Sequence, residues 1–594
     1  MPTDPNSDPY YRLRHSLAHV MAQAVLTIFP EGKVAIGPPI ENGFYYDFDL
    51  PRSLTPDDLV TIEGRMRAIL AGNHPFVLRE VSADEARTLF HDQPYKLELI
   101  AGLAKGLDEY GETAKGDTVI STYRQDTFED LCRGPHVAHT GEIPPDGFKL
   151  TSIAGAYWRG DEKNPQLQRI YATAWNSKAE LDQHLFQLEE ARRRDHRRLG
   201  KELGLFFFSD DIGPGLPLFT PKGEILRHEM ENYVREVQTR YGYQHVWTGN
   251  VVKESLYKKS GHYDAYRESM FPPMVESEDL VFRLKPMNCP SHMTLYKEMG
   301  VHSYRDLPMR FAEFATLYRY EDSGALHGLT RVRALTQDDC HIFCLPEQIE
   351  QEFGLAFNLI REVLETYKFT DYRVDLSLRG TGGKYIADDE AWDLAENALR
   401  SALDHYGVQY REAPGEAAIY GPKADFMARD VLGREWQLST IQVDFIQPRR
   451  LGLEYVGEDN QPHTPVVIHR AVTGTTERFM GVLIEHFAGA FPTWLAPVQA
   501  MLIPITDKQL EYAHDVRARL AAVGVRVETD TSRDRMQGKI RRAQLQKIPY
   551  MLIIGNKEQA AGAVAVRLRS GEDLGPLPVE SVIERIVQEM KSRA

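Results

Sequence analysis

A strongly charged segment, Ser177 to Lys201, divides this sequence into parts that cannot share one hydrophobic core. The segment predicts a single amphipathic helix, with leucines on one face and arginines concentrated toward its end. A glycine- and proline-rich stretch, Asp211 to Pro217, follows and is typical of the start of a new domain. Because the chain has 594 residues and single cores stop growing near ~250–300 residues, we expect several domains.

A second boundary is predicted at Phe491 to Pro497, where two prolines flank an apolar patch. After it, short apolar runs alternate with helical patterns, which predicts a compact α/β module. The block before it has strand-like runs separated by long loops and helices, which favours an antiparallel sheet and an α+β arrangement. The expected fold class is therefore multidomain α+β, divided into residues 1–176, a linker helix over 177–203, a central domain over 204–496 and a C-terminal domain over 497–594.

The composition excludes several classes of protein. Hydrophobic residues make up 42% and charged residues 26% of the chain, which is ordinary for a globular protein and not for a collagen-like or disordered one. No run of 18 apolar residues occurs, so no membrane span is expected. The polar segment Met1 to Tyr10 is unlike a signal peptide. Four cysteines do not supply a disulfide framework, and a reducing, cytoplasmic setting is expected.

The net charge of −16 argues against a general polyanion binder, but the charge is unevenly distributed. Residues 498–594 contain 16 Lys and Arg against 12 Asp and Glu, leaving −20 on the rest of the chain. A second basic cluster lies near the end of the linker segment, at Arg192, Arg193, Arg194, Arg197, Arg198 and Lys201. Such basic clusters are consistent with a protein that binds a large polyanion at a few local sites. They are equally consistent with ordinary solvent-exposed helix surfaces.

The first group of chemically active residues lies in the N-terminal part. His15 and His19 are four apart on an apolar helix and therefore share one face. Cys132 and His136 repeat this spacing. Three imidazoles and a thiol form a set that zinc accepts, and imidazoles also position and deprotonate water in ester hydrolysis. The spacing does not choose between the two.

A second group lies in the central block. Cys289, His341 and His469 come from three separate segments. Together they would leave the fourth coordination position of a zinc ion open, which is typical of a catalytic rather than a structural zinc site. Other histidines and cysteines compete for the same role.

Arginines follow in the same block. Arg319 and Glu321, two apart on a predicted strand, point to one face. An arginine can clamp a phosphate while a carboxylate takes nucleotide donors. Arg331 lies on the segment that follows the loop after Glu321, and Arg478 lies near the start of a predicted helix. For each arginine taken alone, the sequence favours a structural salt bridge over a phosphate contact. No phosphate-binding loop motif of the common nucleotide-binding folds is present.

Taken together, these segments resemble those of class II aminoacyl-tRNA synthetases and, within them, of bacterial threonyl-tRNA synthetases. Arg319-Tyr-Glu321 is similar to the second signature motif of the class, and Gly474-Thr-Thr-Glu-Arg-Phe479 is similar to the third. The segments of the family that carry its zinc ligands are matched by Met287 to Pro290, Thr336 to His341 and Val467 to Arg470. The resemblance runs from about His15 to the C-terminus.

The resemblance implies a fold with a class II antiparallel catalytic core, an N-terminal editing domain and a C-terminal anticodon-binding domain. It implies an enzyme that activates threonine with ATP and Mg²⁺ and transfers the threonyl group to the 3′ end of tRNA(Thr). Arg319 would hold the α-phosphate and the substrate carboxylate, Glu321 and Arg331 would seat the nucleotide, and Arg478 would hold the γ-phosphate. Gln437 and Thr440 match positions on the adenylate side of the family's active site. The positions that line its amino-acid pocket are matched by Gln337, Asp339, Tyr420, Lys423 and Gln442.

The resemblance also gives the zinc ion a purpose. Zn²⁺ on Cys289, His341 and His469 would take the amino and hydroxyl groups of threonine, so valine is rejected more strongly than an apolar pocket allows. Serine passes this filter, and a second site must hydrolyse seryl-tRNA. The family's editing site is matched by His15, His19, Asp130, Cys132 and His136. Its chemistry there is the positioning of water, although related editing domains bind zinc with such a quartet, and a metal at this site stays an open alternative.

Further expectations concern partners. Glu558 and Arg567 match positions that contact anticodon bases, and a homodimer is implied. Three departures from the family stand out: the sequence lacks the small N-terminal domain of many members, Asn250 replaces the proline of the first signature motif, and Arg533 replaces a shorter amide. Two alternatives remain: an RNA-binding regulator descended from such an enzyme, and a prolyl or seryl member of the class.

Overall fold

The computed structural model describes residues 8–105, 120–382 and 385–593. The chain divides into two compact units, Met1–Glu189 and Glu190–Ala594. No helix within the described ranges is long and apolar enough to cross a membrane.

The first unit combines helices with two antiparallel sheets. The larger sheet has the strand order β1-β3-β8-β7, with β2 paired to β3, and the smaller sheet has the order β4-β5-β6. The elements of this unit are α1 (Tyr11–Ile28), β1 (Lys33–Val34), β2 (Pro39–Ile40), β3 (Gly43–Asp49), α2 (Pro56–Ala71), β4 (Val77–Glu80), α3 (Ala83–Leu89), α4 (Pro94–Leu103), β5 (Ser121–Gln125), β6 (Phe128–Leu131), β7 (Phe148–Tyr157), β8 (Gln166–Ala174) and α5 (Lys178–Arg194), which contains the boundary.

Helix α1 and strand β3 form the core of this unit. The apolar positions Leu17, Val20 and Met21 of α1 are buried, as the helical spacing predicts. On β3, Phe44 and Phe48 are buried in the same cluster, and α1 packs against this strand. Nearly every residue of α1 from Leu13 to Val25 is buried, so the helix is packed on all sides and the directions of His15 and His19 are fixed.

The linker segment differs from the single helix predicted over Ser177 to Lys201. The structure has two helices, α5 and α6 (His196–Glu202), separated at Asp195. Asp195 has non-helical backbone angles and its carboxylate accepts the Arg197 N–H at 2.8 Å. An N-cap of this kind ends one helix and starts the next, which is why periodicity alone was misleading.

The second unit contains α6 and the rest of the chain. Its helices are α7 (Pro221–Arg240), α8 (Glu254–Ser260), α9 (His262–Tyr266), α10 (Cys289–Glu298), α11 (Ile349–Thr366), α12 (Asp389–His405), α13 (Gln447–Leu451), α14 (Thr476–His486), α15 (Leu510–Ala522), α16 (Met536–Leu545), α17 (Asn556–Ala560) and α18 (Val579–Ser592). Its strands are β9 (Phe206–Phe207), β10 (Leu218–Phe219), β11 (Gln244–His245), β12 (Val251–Lys253), β13 (Met274–Ser277), β14 (Leu280–Leu284), β15 (His302–Ser303), β16 (Met309–Tyr318), β17 (Ala334–Cys344), β18 (Tyr372–Leu378), β19 (Tyr410–Pro414), β20 (Lys423–Arg429), β21 (Glu435–Asp444), β22 (Tyr455–Val456), β23 (Pro462–His463), β24 (Val466–Ala471), β25 (Ala500–Pro504), β26 (Val527–Thr529), β27 (Tyr550–Ile554), β28 (Ala563–Leu568) and β29 (Asp573–Pro578).

One large sheet organises the central part of this unit. Its order is β11-β16-β17-β24-β21-β20-β18-β19, antiparallel except for the outermost pair at each end. Helices α7, α11 and α14 contribute buried residues to one core with the strands. The prediction of an antiparallel sheet surrounded by helices is confirmed.

A smaller mixed sheet forms the C-terminal part, in the order β26-β25-β27-β28-β29. The predicted alternation of strands and helices is present in this module. Strand β29 contains Gly575, Pro576 and Pro578 and pairs only with β28, at the sheet edge. Prolines are tolerated at such an edge because no partner needs their N–H.

Candidate functional site

A cavity of about 370 Å³ opens on the large sheet of the second unit. It is lined by most of the residues that the sequence analysis assigned to threonine, ATP and zinc. These are Cys289, Arg319, Gln337, Asp339, His341, Tyr420, Lys423, Gln437, Thr440, Gln442, His469 and Arg478.

The strand register explains why distant residues meet here. His341 on β17 lies directly opposite His469 on β24, and His469 lies opposite Gln442 on β21. Gln442 in turn lies opposite Lys423 on β20. Along β17, Asp339 is two residues from His341, and alternate residues of a strand share one face. The sheet therefore gathers one row of functional side chains from four adjacent strands.

Three of these residues form a compact cluster of metal-binding groups. The ligand atoms of Cys289, His341 and His469 lie within 4.8 Å of one another, and all three side chains are buried. Cys289 is the first residue of α10. Burial, together with the charge of Asp339, holds the pKa of its thiol well above the usual range. A cation is what would stabilise the thiolate form here.

Hydrogen bonds behind His341 fix its proton. Its Nδ1 lies 2.8 Å from Nδ1 of His292, whose Nε2 lies 3.0 Å from Oε2 of Glu313. Burial would raise the pKa of Glu313, but bonds from His292, the Thr248 N–H and Asn288 lower it to about 2. Nδ2 of Asn288 also lies 3.0 Å from Nε2 of His292, but an ionised carboxylate only accepts, so we assign the proton of His292 to Nε2, where it is donated to Glu313. His341 then donates from Nδ1, and its Nε2 is left with a lone pair.

The same logic applies to His469. Its Nε2 lies 2.9 Å from Oδ2 of Asp444, a fully buried carboxylate, so the proton lies on Nε2 and the lone pair on Nδ1. Nε2 of His341 and Nδ1 of His469 are 3.1 Å apart. Two lone pairs therefore converge beside a cysteine, which fits a divalent ion with a preference for nitrogen and sulfur, such as Zn²⁺. The outer partners His292, Glu313 and Asp444 were missed by the sequence analysis.

One carboxylate not predicted from the sequence orders the other end of the cavity. Asp425 accepts hydrogen bonds from Gln437 at 2.7 Å and from Thr440 at 3.0 Å, and it forms an ion pair of 2.9 Å with Lys423. Tyr420 donates to Gln442 at 2.9 Å. Polar groups around the cavity are thereby held in place before any substrate binds.

The two predicted phosphate-binding arginines of the cavity have no carboxylate partner. Within the described residues, neither Arg319 nor Arg478 forms an ion pair, and Nε of Arg478 is buried without a hydrogen bond. Burial lowers the pKa of both guanidinium groups. Glu321 and Arg331, by contrast, pair with each other at 2.8 Å and are not among the residues that line the cavity.

The first unit brings its own predicted residues together. His15 and His19 on α1 meet Cys132 and His136, and the ligand atoms of all four lie within 4.8 Å of one another. Sγ of Cys132 is 3.3 Å from Nε2 of His15 and 3.2 Å from Nε2 of His136. Burial lowers the pKa of His15 to about 3 and that of His19 to about 4. Neutral imidazoles suit either a metal or proton transfer to and from water.

The fifth predicted residue of this site, Asp130, sits in a buried charged group. Lys96 lies 2.5 Å from Asp130, and the Tyr46 hydroxyl donates to it at 2.5 Å. Nε2 of His19 is 3.9 Å from the same carboxylate. Lys96 and Tyr46 carried no signal in the sequence, because a lysine on a short helix and a tyrosine on a strand are usually surface and core residues.

The predicted anticodon residues lie in the C-terminal sheet region. Glu558 is on α17 and its carboxylate accepts the Gly555 N–H at 2.9 Å. Arg567 is on β28, and its Nε is buried without a partner. Helix α17 packs against β28.

Comparison with known proteins identifies the family. Residues 274–487 match the tRNA synthetase class II core domain (G, H, P, S and T), residues 499–589 match the anticodon binding domain, and residues 120–171 match the threonyl and alanyl tRNA synthetase second additional domain. The threonine–tRNA ligase of Rubrobacter xylanophilus is 60% identical over 586 residues, 98% of this chain and 89% of that protein. The chain belongs to the threonyl-tRNA synthetase family. The ligase of Thermus thermophilus is 48% identical over 600 residues, 99% of this chain and 90% of that protein.

Solved structures agree with this assignment to the threonyl-tRNA synthetase family. The RNA binding domain of threonyl-tRNA synthetase from Cryptosporidium parvum is 40% identical, with a TM-score of 0.64 over 66% of this chain and 98% of that one. Prolyl-tRNA synthetase from Giardia lamblia is 17% identical, with a TM-score of 0.52 over 68% of this chain and 80% of that one, and shares the fold. The predicted family, fold class and main function are confirmed over the regulator alternative. A class II core implies a reaction that uses ATP and Mg²⁺.

Proposed function

We propose that this chain activates threonine with ATP and Mg²⁺, transfers it to the 3′ end of tRNA(Thr), and hydrolyses seryl-tRNA(Thr) at its N-terminal site. One observation carries the proposal. A single cavity holds a Cys/His/His cluster on one side and two arginines without carboxylate partners on the other. The first suits a metal that selects the amino acid, and the second suits the phosphates and carboxylate of the reacting groups.

Cys289, His341 and His469 would hold one zinc ion per chain. When bound, zinc would supply a Lewis acid with free positions for the amino and hydroxyl groups of threonine. The side chains assigned to the amino-acid pocket share the cavity with this cluster, and they are Gln337, Asp339, Tyr420, Lys423 and Gln442. The fully buried His292 and Asp444 hold the two imidazoles from behind.

Arg319 and Arg478 would bind the anionic groups. Arg319 would hold the α-phosphate and the threonine carboxylate, and Arg478 the γ-phosphate, since each has a guanidinium without a competing carboxylate. Gln437 and Thr440, oriented by Asp425, would lie on the adenylate side. Glu321 and Arg331 are paired in this structure, and we propose that they part to seat the nucleotide. Positioning and charge stabilisation account for the chemistry without a covalent enzyme intermediate.

The N-terminal site would hydrolyse the ester of misacylated tRNA. His15, His19, Cys132 and His136 converge at one point, where they would position a water molecule against the ester, and Asp130 holds Lys96 beside them. The depressed pKa values of His15 and His19 keep both imidazoles neutral at pH 7, the form that accepts a proton from water.

Several finer assignments belong to the same proposal. We propose domains over 1–176, 177–203, 204–496 and 497–594, anticodon contacts from Glu558 and Arg567, a homodimer and a cytoplasmic location. Trp247, beside the first signature motif, is 79% exposed in the single chain, and Asn250 accepts the Lys285 N–H at 3.0 Å. A large exposed aromatic side chain supports an interface with a second copy.

The deciding experiment is ATP–pyrophosphate exchange with threonine, serine, valine and proline as separate substrates. We expect exchange with threonine, weaker exchange with serine and almost none with valine or proline. Absence of exchange with all four, in folded and zinc-loaded protein, would contradict the proposed function and favour the regulator alternative.

A further inference from the structure

A third cluster of metal-type side chains, Asp195, His196 and Glu485, lies outside the cavity. His196 is fully buried at the start of α6, and both ring nitrogens are already used. Nδ1 lies 2.7 Å from Oε1 of Glu485, and Nε2 accepts the Leu329 backbone N–H at 3.0 Å. Neither ring nitrogen of His196 therefore has a free lone pair with which to bind a metal ion. The cluster therefore needs another explanation.

The two partners of His196 belong to the two segments that carry the candidate nucleotide-binding residues. Leu329 lies on the segment between Glu321 and Arg331. Glu485 lies on α14, seven residues after Arg478, and therefore two turns further along the same face. The ring of His196 thus ties the loop of Arg331 to the helix of Arg478.

The glycine next to Leu329 permits this contact. A Cβ atom at Gly328 would lie 2.1 Å from Nε2 of His196, closer than atoms approach without displacement. Gly328 also has a φ of +48°, which favours glycine. The loop can therefore bring its backbone N–H to the imidazole only because this position has no side chain.

Further hydrogen bonds and ion pairs link Glu485 to the indole ring of Trp436, which lies next to Arg478. Arg434 contacts Glu485 at 2.5 Å and Asp430 at 2.6 Å. Asp430 accepts the indole N–H of Trp436 at 2.9 Å. The guanidinium carbon of Arg478 lies 5.8 Å from the centre of the Trp436 ring, within the range of a cation–π contact.

We propose that His196 is a positioning residue for ATP, which holds the loop of Arg331 and the helix of Arg478 at the separation that a shared polyphosphate requires. Burial lowers the pKa of Arg478, and the positive charge of Arg331, which is paired with Glu321, lowers it further, so the two guanidinium groups disfavour each other's charge when no anion is bound. A neutral imidazole with one donated and one accepted hydrogen bond fixes both segments without adding charge. This inference rests on the proposed use of ATP and concerns the same site.

The test compares His196→Asn with His196→Gln in the full chain. An asparagine amide can replace Nδ1 toward Glu485 but does not reach Leu329, whereas a glutamine amide can reach the position of Nε2. We expect His196→Asn to raise the KM for ATP about tenfold, the effect of one lost buried hydrogen bond, with the KM for threonine unchanged. His196→Gln should lie closer to the wild-type chain.

A matched control is His302→Asn, since His302 is also buried and its Nε2 bonds a backbone carbonyl, that of Tyr296, at 2.7 Å. It should lower stability without changing the KM for ATP. If His196→Asn does not fold, Gly328→Ala displaces the same loop by placing a methyl group against the His196 ring, and it should raise the KM for ATP in the same direction.

Equal ATP affinity in the wild-type chain, His196→Asn and Gly328→Ala would overturn the inference. Direct titration with ATP and Mg²⁺ separates this result from a failure of the proposed function. A wild-type chain that binds ATP but shows no exchange would contradict threonine activation, and the variants would still decide the role of His196. A wild-type chain that binds no ATP would overturn both.

Discussion

Nε2 of His341 and Nδ1 of His469 face each other at 3.1 Å with no proton between them, because His292 and Asp444 hold the protons on the outer nitrogens. Two lone pairs at this distance repel each other unless a cation lies beside both. The arrangement therefore suits a metal ion, for which Cys289 would supply a third ligand.

Replacing Cys289 by alanine should remove the metal and threonine activation together. We expect bound zinc to fall from about one ion per chain to near zero, since two imidazoles alone form a weak site. Metal content by mass spectrometry and threonine-dependent exchange would be measured on the same sample. Cys344→Ala, at a cysteine that is also buried but lies in the core, is the control. Full activity in a zinc-free preparation would show the metal assignment to be wrong.

Asp444→Asn should weaken metal binding without removing any ligand. The amide can turn its NH₂ group toward Nε2 of His469, which favours the tautomer whose proton lies on Nδ1, in the path of the metal. We expect about 10–100-fold lower zinc affinity, measured by competition with a chelator. The control is Asp375→Asn, a buried carboxylate paired with Arg373 on β18. Unchanged zinc affinity in Asp444→Asn would count against the tautomer argument.

The double substitution His15→Ala with His19→Ala should separate the two proposed activities. Threonine activation should be unchanged, because both residues lie in the first unit, while seryl-tRNA(Thr) should accumulate. Deacylation of preformed seryl-tRNA(Thr) is the measurement. Deacylation at the wild-type rate in this variant would require another site for the hydrolysis.

Acid should destabilise the first unit through the same histidines. Their pKa values are about 3 for His15 and about 4 for His19 in the folded chain, against ~6.5 in an unfolded one. Between these pKa values the unfolded state binds more protons than the folded state. The contribution of the two histidines to the free energy of unfolding is therefore fully present above pH ~6.5 and is lost as the pH drops toward 4. The loss is up to about 1.4 kcal/mol per pH unit for each histidine. Histidine C2-hydrogen exchange followed by mass spectrometry gives each pKa, with the denatured chain as control. A midpoint near 6.5 for either residue in the folded chain would contradict this prediction.

Arg567→Ala should weaken the recognition of tRNA and spare activation. Arg567 is partly exposed on β28 and forms no ion pair within the described residues, so its guanidinium group is available to a base. We expect the KM for tRNA(Thr) to rise about tenfold, the loss of ~1.4 kcal/mol of base contact, with unchanged ATP–pyrophosphate exchange. Arg585→Ala, an arginine of the same region held by Tyr550 and Glu589, is the control. An equal effect of both substitutions would indicate a structural role.

The sequence predicted the residues that line the cavity better than the residues that hold them in place. His341 and His469 could be assigned because their segments resemble those that carry the family's zinc ligands, whereas the residue pattern alone left other histidines and cysteines in competition. Glu313, Asp444 and Lys96 could not, because a buried carboxylate or lysine has no periodic signature and its partners come from distant segments. The helix break at Asp195 was missed for a related reason, since a local side-chain cap competes with periodicity. Strand register, which aligns Gln442 with His469, becomes visible only in the folded sheet.

The arginines of the cavity have a consequence beyond recognition. Folding partly removes Arg319 and Arg478 from water, and within the described residues neither gains an ion pair with a carboxylate, so without substrate the enzyme carries a desolvation cost for these two charges. Anything that binds only the folded state stabilises it by mass action. The substrate-free enzyme should therefore have the lowest free energy of unfolding. Its lifetime in a cell should rise with the concentrations of ATP and threonine, because the substrate-free molecules unfold and are degraded first.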